Sequence, residues 1–235
     1  MDPNSLKKLN EYRRARRAVI LLTDLSDGRD RVIDENERID GPLGEAVAKA
    51  FRSGKSGTVE AEGRSYFLNV HLPPPRLVVI GAVHISQALA PMAAIAGFDM
   101  EIIDPRTAFA SPERFPDVPL YARWPDEVLK ERPLDAFSAL AALTHDPKID
   151  DPALKAALEA GCFYIGALGS RKTHDRRVER LLEAGIANAA IERIHAPIGL
   201  EIGAASPPEI AVAILAQIIA ALRSRGLEAM REEAA

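Results

Sequence analysis

The chain has 235 residues, which is enough for one or two domains. Its 27% charged and 47% hydrophobic residues are typical of a globular protein and exclude disordered and collagen-like chains. A net charge of -4 argues against general nucleic-acid binding, and a single cysteine excludes an internal disulfide. The polar start lacks a signal-peptide core, and the longest apolar stretch, residues 210–222, is shorter than the ~20 residues of a membrane span. We therefore expect a cytoplasmic protein without a membrane segment.

Residues 1–72 predict a small α+β domain. Apolar, β-branched runs predict strands at 18–23, 30–34, 57–61 and 65–70, and a helix is predicted at 41–51. Three consecutive prolines, Pro73–Pro75, forbid helix and mark the boundary to a second domain at residues 76–235.

From residue 76 on, predicted strands and helices alternate. Leu77–Ile80 is continuously apolar, as in a strand that is covered on both faces. Further strands are predicted at 100–103, 119–122, 136–143 and 163–165, and helices at 85–96, 151–160 and 173–184. The alanines of 136–143 would also allow a helix, and 191–195 is ambiguous. This alternation predicts the α/β class with a doubly wound parallel sheet.

The last predicted helix has a defined start, because Ser206, Pro207 and Glu209 form a capping box with proline at the first helical position. Apolar residues recur every four positions from Ile210 to Leu222. Further apolar residues widen this stripe, and the helix is therefore expected to be mostly buried; they are Val212, Leu215 and Ile219.

Ligands of open α/β sheets bind beyond the carboxyl ends of the strands. The first strand of the predicted sheet ends in Gly81, but Val83 and Ser86 stand where a dinucleotide-binding fingerprint has its other glycines. The following helix N-terminus can still attract an anion, with His84 and Ser86 as donors. A turn that binds no ligand is the alternative.

Two further strand ends carry candidate residues. Asp104 lies 23 residues after Gly81, close to the ~20 expected of a ribose-binding acid, and Arg106 could contact phosphate. Alternatively, the two residues cap a loop and pair with each other. At the next strand end, Asp146 could orient His145, whose ring exchanges protons near neutral pH. An Asp-Pro turn beside a solvated histidine is the alternative.

The fifth strand leads into a loop with glycines, hydroxyl groups and adjacent positive charge, which is typical of a phosphate cradle. The lysine–hydroxyl order of a Walker P-loop is missing from this loop, so ATP hydrolysis is not indicated. Cys162, before this strand, is predicted to be a buried small hydrophobe rather than a sulfur carrier. The candidate binding residues of the loop are Gly166, Gly169, Ser170, Arg171 and Lys172.

Residues 144–146, 164–171 and 197–211 closely resemble, in order, three motifs of the xanthine dehydrogenase accessory factor family (XdhC/CoxI). The resemblance covers about residues 76–221 and implies a Rossmann domain in this part of the chain. Two departures stand out. Val83 occupies a place where members often carry glycine, and the stretch Gly-Pro-Leu-Gly-Glu at 41–45 lacks the cysteine that many members have in their N-terminal domain.

The resemblance implies a chaperone that binds molybdenum cofactor, as molybdopterin or its dinucleotide form, and delivers it to a xanthine dehydrogenase-type molybdenum hydroxylase. Such a maturation factor needs no covalent turnover of its own. A cysteine desulfurase and a second copy of the chain, in a homodimer, are further expected partners. The turns at 81–86 and 166–172 would contact phosphate. Asp104 and Arg106 would contact a ribose or phosphate, and His145 and Asp146 would contact the pterin or its metal end.

Two other functions fit the sequence. An NAD(P)-dependent oxidoreductase would share the sheet and Asp104, but Val83 opposes it, and the Tyr-x-x-x-Lys pair of a short-chain dehydrogenase is missing from the sequence. A pure interaction protein with a decayed cleft would bind a hydroxylase subunit and no small ligand.

Overall fold

The computed structural model describes residues 2–231, with side chains up to Ser224. The chain divides into two compact units. One comprises residues up to Pro73 together with residues from Arg223 on, and the other comprises Pro74–Leu222.

The first unit contains a four-stranded antiparallel sheet in the order β2-β1-β4-β3. Its elements are α1 (Pro3–Arg14), β1 (Val19–Asp24), β2 (Asp30–Asp34), α2 (Gly41–Ser53), β3 (Gly57–Ala61) and β4 (Arg64–His71). The strands and α2 match the sequence prediction. The sequence pattern does not predict α1, because Leu9 is its single buried residue and an apolar stripe is missing from it.

Strands and helices alternate along the second unit. α4 is seven residues long, too short to show the period by which a helix is recognised in a sequence. The elements are β5 (Arg76–Ile80), α3 (His84–Ile95), β6 (Asp99–Ile103), β7 (Leu120–Tyr121), α4 (Pro125–Glu131), β8 (Ser138–Ala142), α5 (Pro147–Glu159), β9 (Tyr164–Ala167), α6 (Arg171–Glu183), α7 (Asn188–Ile191), β10 (Ile194–His195) and α8 (Pro207–Arg231).

The six strands of this unit form one parallel sheet in the order β10-β9-β8-β5-β6-β7, which is the strand order of the Rossmann fold. β5 pairs with β6 on one side and with β8 on the other, so the direction of winding reverses between β5 and β8. The predicted fold class is confirmed: a Rossmann-like α/β sheet preceded by a small α+β part.

Helices cover both faces of this sheet, and for this reason every residue of β5 and β8 is buried. Along β5, side chains alternate between two cores. Leu77 and Val79 pack in a cluster with residues of α3 and α8. Val78 and Ile80 pack in a second cluster with residues of α5. The continuous apolar run of this strand thus reflects burial on both sides.

α8 begins as predicted, since Glu209 Oε2 accepts a hydrogen bond from the Ser206 backbone N–H (3.0 Å). The expectation that the helix is mostly buried is wrong on one side, where Val212 and Ile219 are 48% and 36% exposed. Residues 207–224 are long and apolar enough to cross a membrane by length and composition alone. In this fold the opposite side of the helix completes the core of the sheet with Ala211, Ile214 and Ile218.

Candidate functional site

The carboxyl ends of β5, β6, β8 and β9 lie at one edge of the parallel sheet. The winding reverses between β5 and β8, and open α/β sheets bind their ligands at this kind of switch point. The loops that carry the sequence-predicted binding residues follow these four strands. The fold therefore brings those loops to the same edge.

The turn after β5 packs tightly against the end of β8. Gly81 has a φ of +118°, and a Cβ atom there would lie 3.0 Å from Thr144 Cγ2, so only glycine fits without strain. Ser86 is fully buried, and its hydroxyl donates to the Gly81 carbonyl oxygen (2.5 Å). The Ser86 hydroxyl therefore stabilises the turn itself, whereas His84 is exposed at the start of α3.

Asp104, at the end of β6, is fully buried and holds the same turn in place. Its carboxylate accepts hydrogen bonds from the Ala82 backbone N–H (2.8 Å) and from Arg106 Nε (2.9 Å) and Nη2 (2.8 Å). Burial opposes ionisation of Asp104, but the hydrogen bonds from Arg106 and Ala82 outweigh it and lower the pKa. Both carboxylate oxygens are thus engaged within the protein, and a ribose would have to displace Arg106 from them.

Arg114 also supports the turn, and the sequence analysis missed it. Its guanidinium donates to the Ala82 carbonyl oxygen (2.9 Å), the Phe109 carbonyl oxygen (2.7 Å) and Gln87 Oε1 (2.9 Å). The loop between β6 and β7 is thereby tied to the start of α3. Arg114 belongs to no motif and lies 32 residues after Ala82, so the sequence carries no local signal for this contact.

The loop after β8 leads directly into α5. Thr144 Oγ1 donates to Asp150 Oδ1 (2.7 Å) and accepts from the Asp146 backbone N–H (3.0 Å). The Asp146 carboxylate caps α5 by accepting from the Lys148 backbone N–H (2.9 Å). His145 is exposed and has a φ of +63°. Asp146 therefore acts as a helix cap in this structure rather than as the group that orients the His145 ring.

A cavity of about 260 Å³ lies between the N-terminal parts of α5 and α6. Four cationic side chains and two carboxylates line it, so positive charge dominates. Thr173, Arg176, Arg177 and Arg180 recur at helical spacing on one face of α6, a pattern that could have indicated the cavity from the sequence. The lining residues are His145, Pro147, Asp150, Asp151, Ser170, Lys172, Thr173, Arg176, Arg177 and Arg180.

Asp150 and Arg177 are the buried charges of the cavity, at 1% and 2% exposure. Arg177 Nη2 donates to the Leu168 carbonyl oxygen (3.0 Å), while Arg177 Nε and Asp150 Oδ2 find no hydrogen-bond partner among the described residues. Burial raises the pKa of Asp150 to about 6, against hydrogen bonds from Thr144 that favour the charged form. Burial also lowers the pKa of Arg177.

The predicted binding residues fall into two neighbouring groups. Gly81, Ser86, Asp104 and Arg106 build the turn after β5, whereas His145, Ser170 and Lys172 line the cavity. The two groups are close enough to interact: the pKa of Arg106 is raised by the hydrogen bonds that it donates to Asp104 and by the more distant charges of Asp146 and Asp150. Arg171 is exposed at the first position of α6 and lies outside the cavity lining.

Two glycines of the predicted phosphate loop serve packing in this structure: Gly166, which lies within β9, and Gly169, which lies in the loop after it. A Cβ atom at Gly166 would lie 2.6 Å from Ile198 Cδ1, and one at Gly169 would lie 3.1 Å from Thr173 Cγ2. The neighbouring Cys162 is fully buried, and burial raises the pKa of its thiol to about 12. This environment suppresses thiolate chemistry and agrees with the expected role of a small core residue.

Comparison with known proteins identifies the family. Residues 77–218 match the family model of the XdhC Rossmann domain. The chain belongs to this family. The resemblance drawn from the three sequence motifs is therefore confirmed, and the cavity and the glycine turn both lie within the XdhC Rossmann domain.

Individual relatives are longer than this chain. The uncharacterized protein YqeB of Escherichia coli K12 is 37% identical over 160 residues, which are 66% of this chain and 29% of YqeB. The molybdenum cofactor insertion chaperone PaoD of the same organism is 33% identical over 146 residues, 62% of this chain and 40% of PaoD. A crystal structure of a xanthine dehydrogenase from Bacillus halodurans has a TM-score of 0.63 and 26% identity, covering 94% of this chain and 65% of that one. The matches thus span less than two thirds of each relative.

The stretch that lacks the family cysteine opens α2 in the first unit. Asp40 is its N-cap residue and Pro42 lies in its first turn. A Cβ atom at Gly44 would lie 1.8 Å from the Ile39 carbonyl oxygen. Gly44 is therefore explained by close backbone packing at the start of this helix.

Proposed function

We propose that this XdhC-family chain binds molybdenum cofactor and acts as an accessory protein in the maturation of a xanthine dehydrogenase-type molybdenum hydroxylase. Three findings support the proposal: the match to the XdhC Rossmann domain, the relative named molybdenum cofactor insertion chaperone, and the structural relative named xanthine dehydrogenase. Binding and delivery require no covalent step by the chain itself.

One observation carries the proposal: the buried guanidinium of Arg177 in a cationic cavity at the ligand-binding edge of the sheet. Its Nε lacks an acceptor among the described residues, so the cavity fits an anionic guest. Molybdenum cofactor is a pterin that carries phosphate. A cavity of about 260 Å³ suits a phosphate group and its surroundings rather than a complete cofactor. The neighbouring loops with Gly81, Arg106 and His145 would supply the remaining contacts.

The proposal also covers the partner proteins and the cellular location of this protein. The Rossmann domain would hold the cofactor in the cytoplasm and pass it to the hydroxylase. A cysteine desulfurase would supply the terminal sulfur of the cofactor, and a homodimer is the proposed assembly state. The N-terminal domain, residues 1–72, would take part without the family cysteine.

Cofactor retention tests the proposal. Wild-type protein mixed with molybdenum cofactor is expected to retain it through gel filtration. Arg177→Met is expected to bind it about tenfold or more weakly, since a hydrogen bond to a charged group contributes ~1.5–3 kcal/mol. Lys155→Met is the matched control, because Lys155 is an exposed cation of α5 outside the cavity lining.

Equal retention by wild type and both variants would refute the assignment of the site. Failure of wild type to retain the cofactor, together with tight binding of NADH in a fluorescence titration, would instead favour an NAD(P)-dependent oxidoreductase.

A further inference from the structure

The cavity between α5 and α6 holds two opposite charges that are fixed apart. Asp150 is anchored by the hydroxyl of Thr144 and Arg177 by the carbonyl oxygen of Leu168. Each keeps one buried polar atom, Asp150 Oδ2 and Arg177 Nε, without a hydrogen-bond partner among the described residues. Buried polar atoms are nearly always paired in folded proteins. We therefore expect a ligand of this cavity to accept a hydrogen bond from Arg177 Nε and to contact the carboxyl group of Asp150.

The other charges around Asp150 decide what that guest can be. Arg180 faces Asp150 from α6 but is already paired with Asp151 (Nε to Oδ2, 2.6 Å). Arg106 approaches from the loop after β6 and is paired with Asp104. Among the described residues, the other charged or titratable side chains that line the cavity are Lys172, Arg176, Arg177 and His145. His174 contacts Arg177 from the same helix, and the nearby carboxylate of Asp146 caps α5.

The first turn of α6 adds backbone donors to these cations. Ser170 is the N-cap, and its hydroxyl accepts from the Thr173 backbone N–H (3.3 Å). The N–H groups of the two residues between them have no acceptor within the helix, and the helix dipole favours an anion at this end. The guest is therefore an anion, with Asp150 as the one buried acid that it must approach.

We propose that this cavity binds phosphate with one proton shared between the Asp150 carboxyl and a phosphate oxygen, so that it selects inorganic phosphate over sulfate near neutral pH. The inference rests on the proposed function only for the identity of the guest as a phosphate-bearing pterin. The cavity itself can be tested with inorganic anions alone.

The chemistry of the two anions explains the selectivity. Hydrogen phosphate retains one O–H group that can donate to Asp150 Oδ2, while its charged oxygens accept from Arg177 Nε. Sulfate carries no proton near neutral pH, and its oxygens repel a carboxylate at close range. Sulfate can bind only after Asp150 has taken up a proton. A phosphate monoester, whose second pKa is ~6, has lost this proton at neutral pH and must take up one proton to bind in the same way.

The test is calorimetric titration of the full chain with sodium phosphate and with sodium sulfate at pH 6, 7 and 8. Because sulfate binding requires one added proton, its affinity is expected to fall about tenfold for each pH unit above 6. Phosphate affinity is expected to change far less, so the preference for phosphate reaches about 100-fold at pH 8. Equal affinity for the two anions at pH 8 would overturn the inference.

Asp150→Asn isolates the shared proton. Its Oδ1 still accepts from Thr144, and its amide can donate to either anion without proton uptake. We expect sulfate affinity to become independent of pH and the preference for phosphate to disappear. A variant that keeps the preference would contradict the role of Asp150. His145→Gln is expected to keep the preference, which shows that the ring at the rim is not its source.

A surface variant keeps the inference testable if Asp150→Asn fails to fold. Arg176→Gln removes an exposed cation that lines the cavity, and both anions are expected to bind several-fold more weakly with the preference unchanged. Lys155→Met is expected to behave as wild type. Absence of phosphate binding in wild type overturns the inference even if molybdenum cofactor is retained. Phosphate selectivity without cofactor retention overturns the proposed function alone.

Discussion

Substitution of Asp150 by asparagine should change how stability depends on pH. Burial raises the pKa of Asp150 from its usual 3.8 to about 6. Below pH 3.8 the carboxyl is protonated in the folded and the unfolded chain, and it costs no stability. Between pH 3.8 and 6 the unfolded chain loses the proton while the folded chain keeps it, so stability falls as pH rises. Above pH 6 the cost is complete.

The size of this cost follows from the two pKa values. At 1.36 kcal/mol per pKa unit, the difference corresponds to about 3 kcal/mol of unfolding free energy. Asparagine cannot ionise and keeps the oxygen that accepts from Thr144. Relative to wild type, Asp150→Asn should therefore gain about 2.5 kcal/mol of stability between pH 4 and pH 7.5, because about 0.5 kcal/mol of the cost is already present at pH 4.

Urea unfolding in buffers without phosphate or sulfate measures this change. Trp124, the single tryptophan of the chain, lies in the same compact unit as Asp150, so its fluorescence follows the unfolding of that unit. Ile149→Val is the control. It removes one methyl group from a buried residue next to Asp150 and should cost ~1 kcal/mol at every pH, because no titratable group is involved. If the difference between wild type and Asp150→Asn is the same at pH 4 and pH 7.5, the buried carboxyl is not the source.

Two further predictions concern the packing of the site. Gly81→Ala should destabilise the protein by ~1–3 kcal/mol more than Gly97→Ala in urea unfolding, since both glycines have positive φ but a Cβ atom crowds Thr144 only at Gly81. Thr144→Ser, which removes the crowding methyl group and keeps the hydroxyl, should recover part of that loss; a Gly81→Ala cost equal to that of Gly97→Ala would contradict the close approach. Tyr164→Phe should lower the unfolding free energy by ~1 kcal/mol, because the buried Tyr164 hydroxyl donates to Gln217 Oε1 (2.6 Å). An unchanged unfolding midpoint would show that this hydrogen bond contributes nothing.

The sheet could be predicted because its signal is local. β5 is buried on both faces and is therefore apolar at every position after Arg76, which is visible in the sequence without knowledge of the fold. α8 was equally visible through its capping box, but one side of its apolar stripe proved exposed. Periodicity shows which residues share a helix face, whereas the width of the covered face depends on what packs against it.

The candidate site was predictable in part. The strand ends identified the edge of the sheet, since residues that follow parallel strands in sequence also meet in space. The partner of each polar group could not be predicted, because it depends on loop paths. Arg114 joins the turn from 32 residues away, and Ser86 turns its hydroxyl back to Gly81 rather than toward a ligand.

An acid and an arginine near a strand end do not by themselves define a binding site. This is seen by comparing two pairs, Asp104 with Arg106 and Asp150 with Arg177. Asp104 and Arg106 are two residues apart on one loop, and the guanidinium closes on the carboxylate through two hydrogen bonds. Asp150 and Arg177 lie on different helices, and each is held by a third group that prevents the same collapse. The first pair therefore satisfies itself and stabilises a turn. Within the part of the chain that the structure describes, the second pair retains an unpaired donor and an unpaired carboxyl oxygen beside a cavity, and this separation is what leaves a place for a ligand.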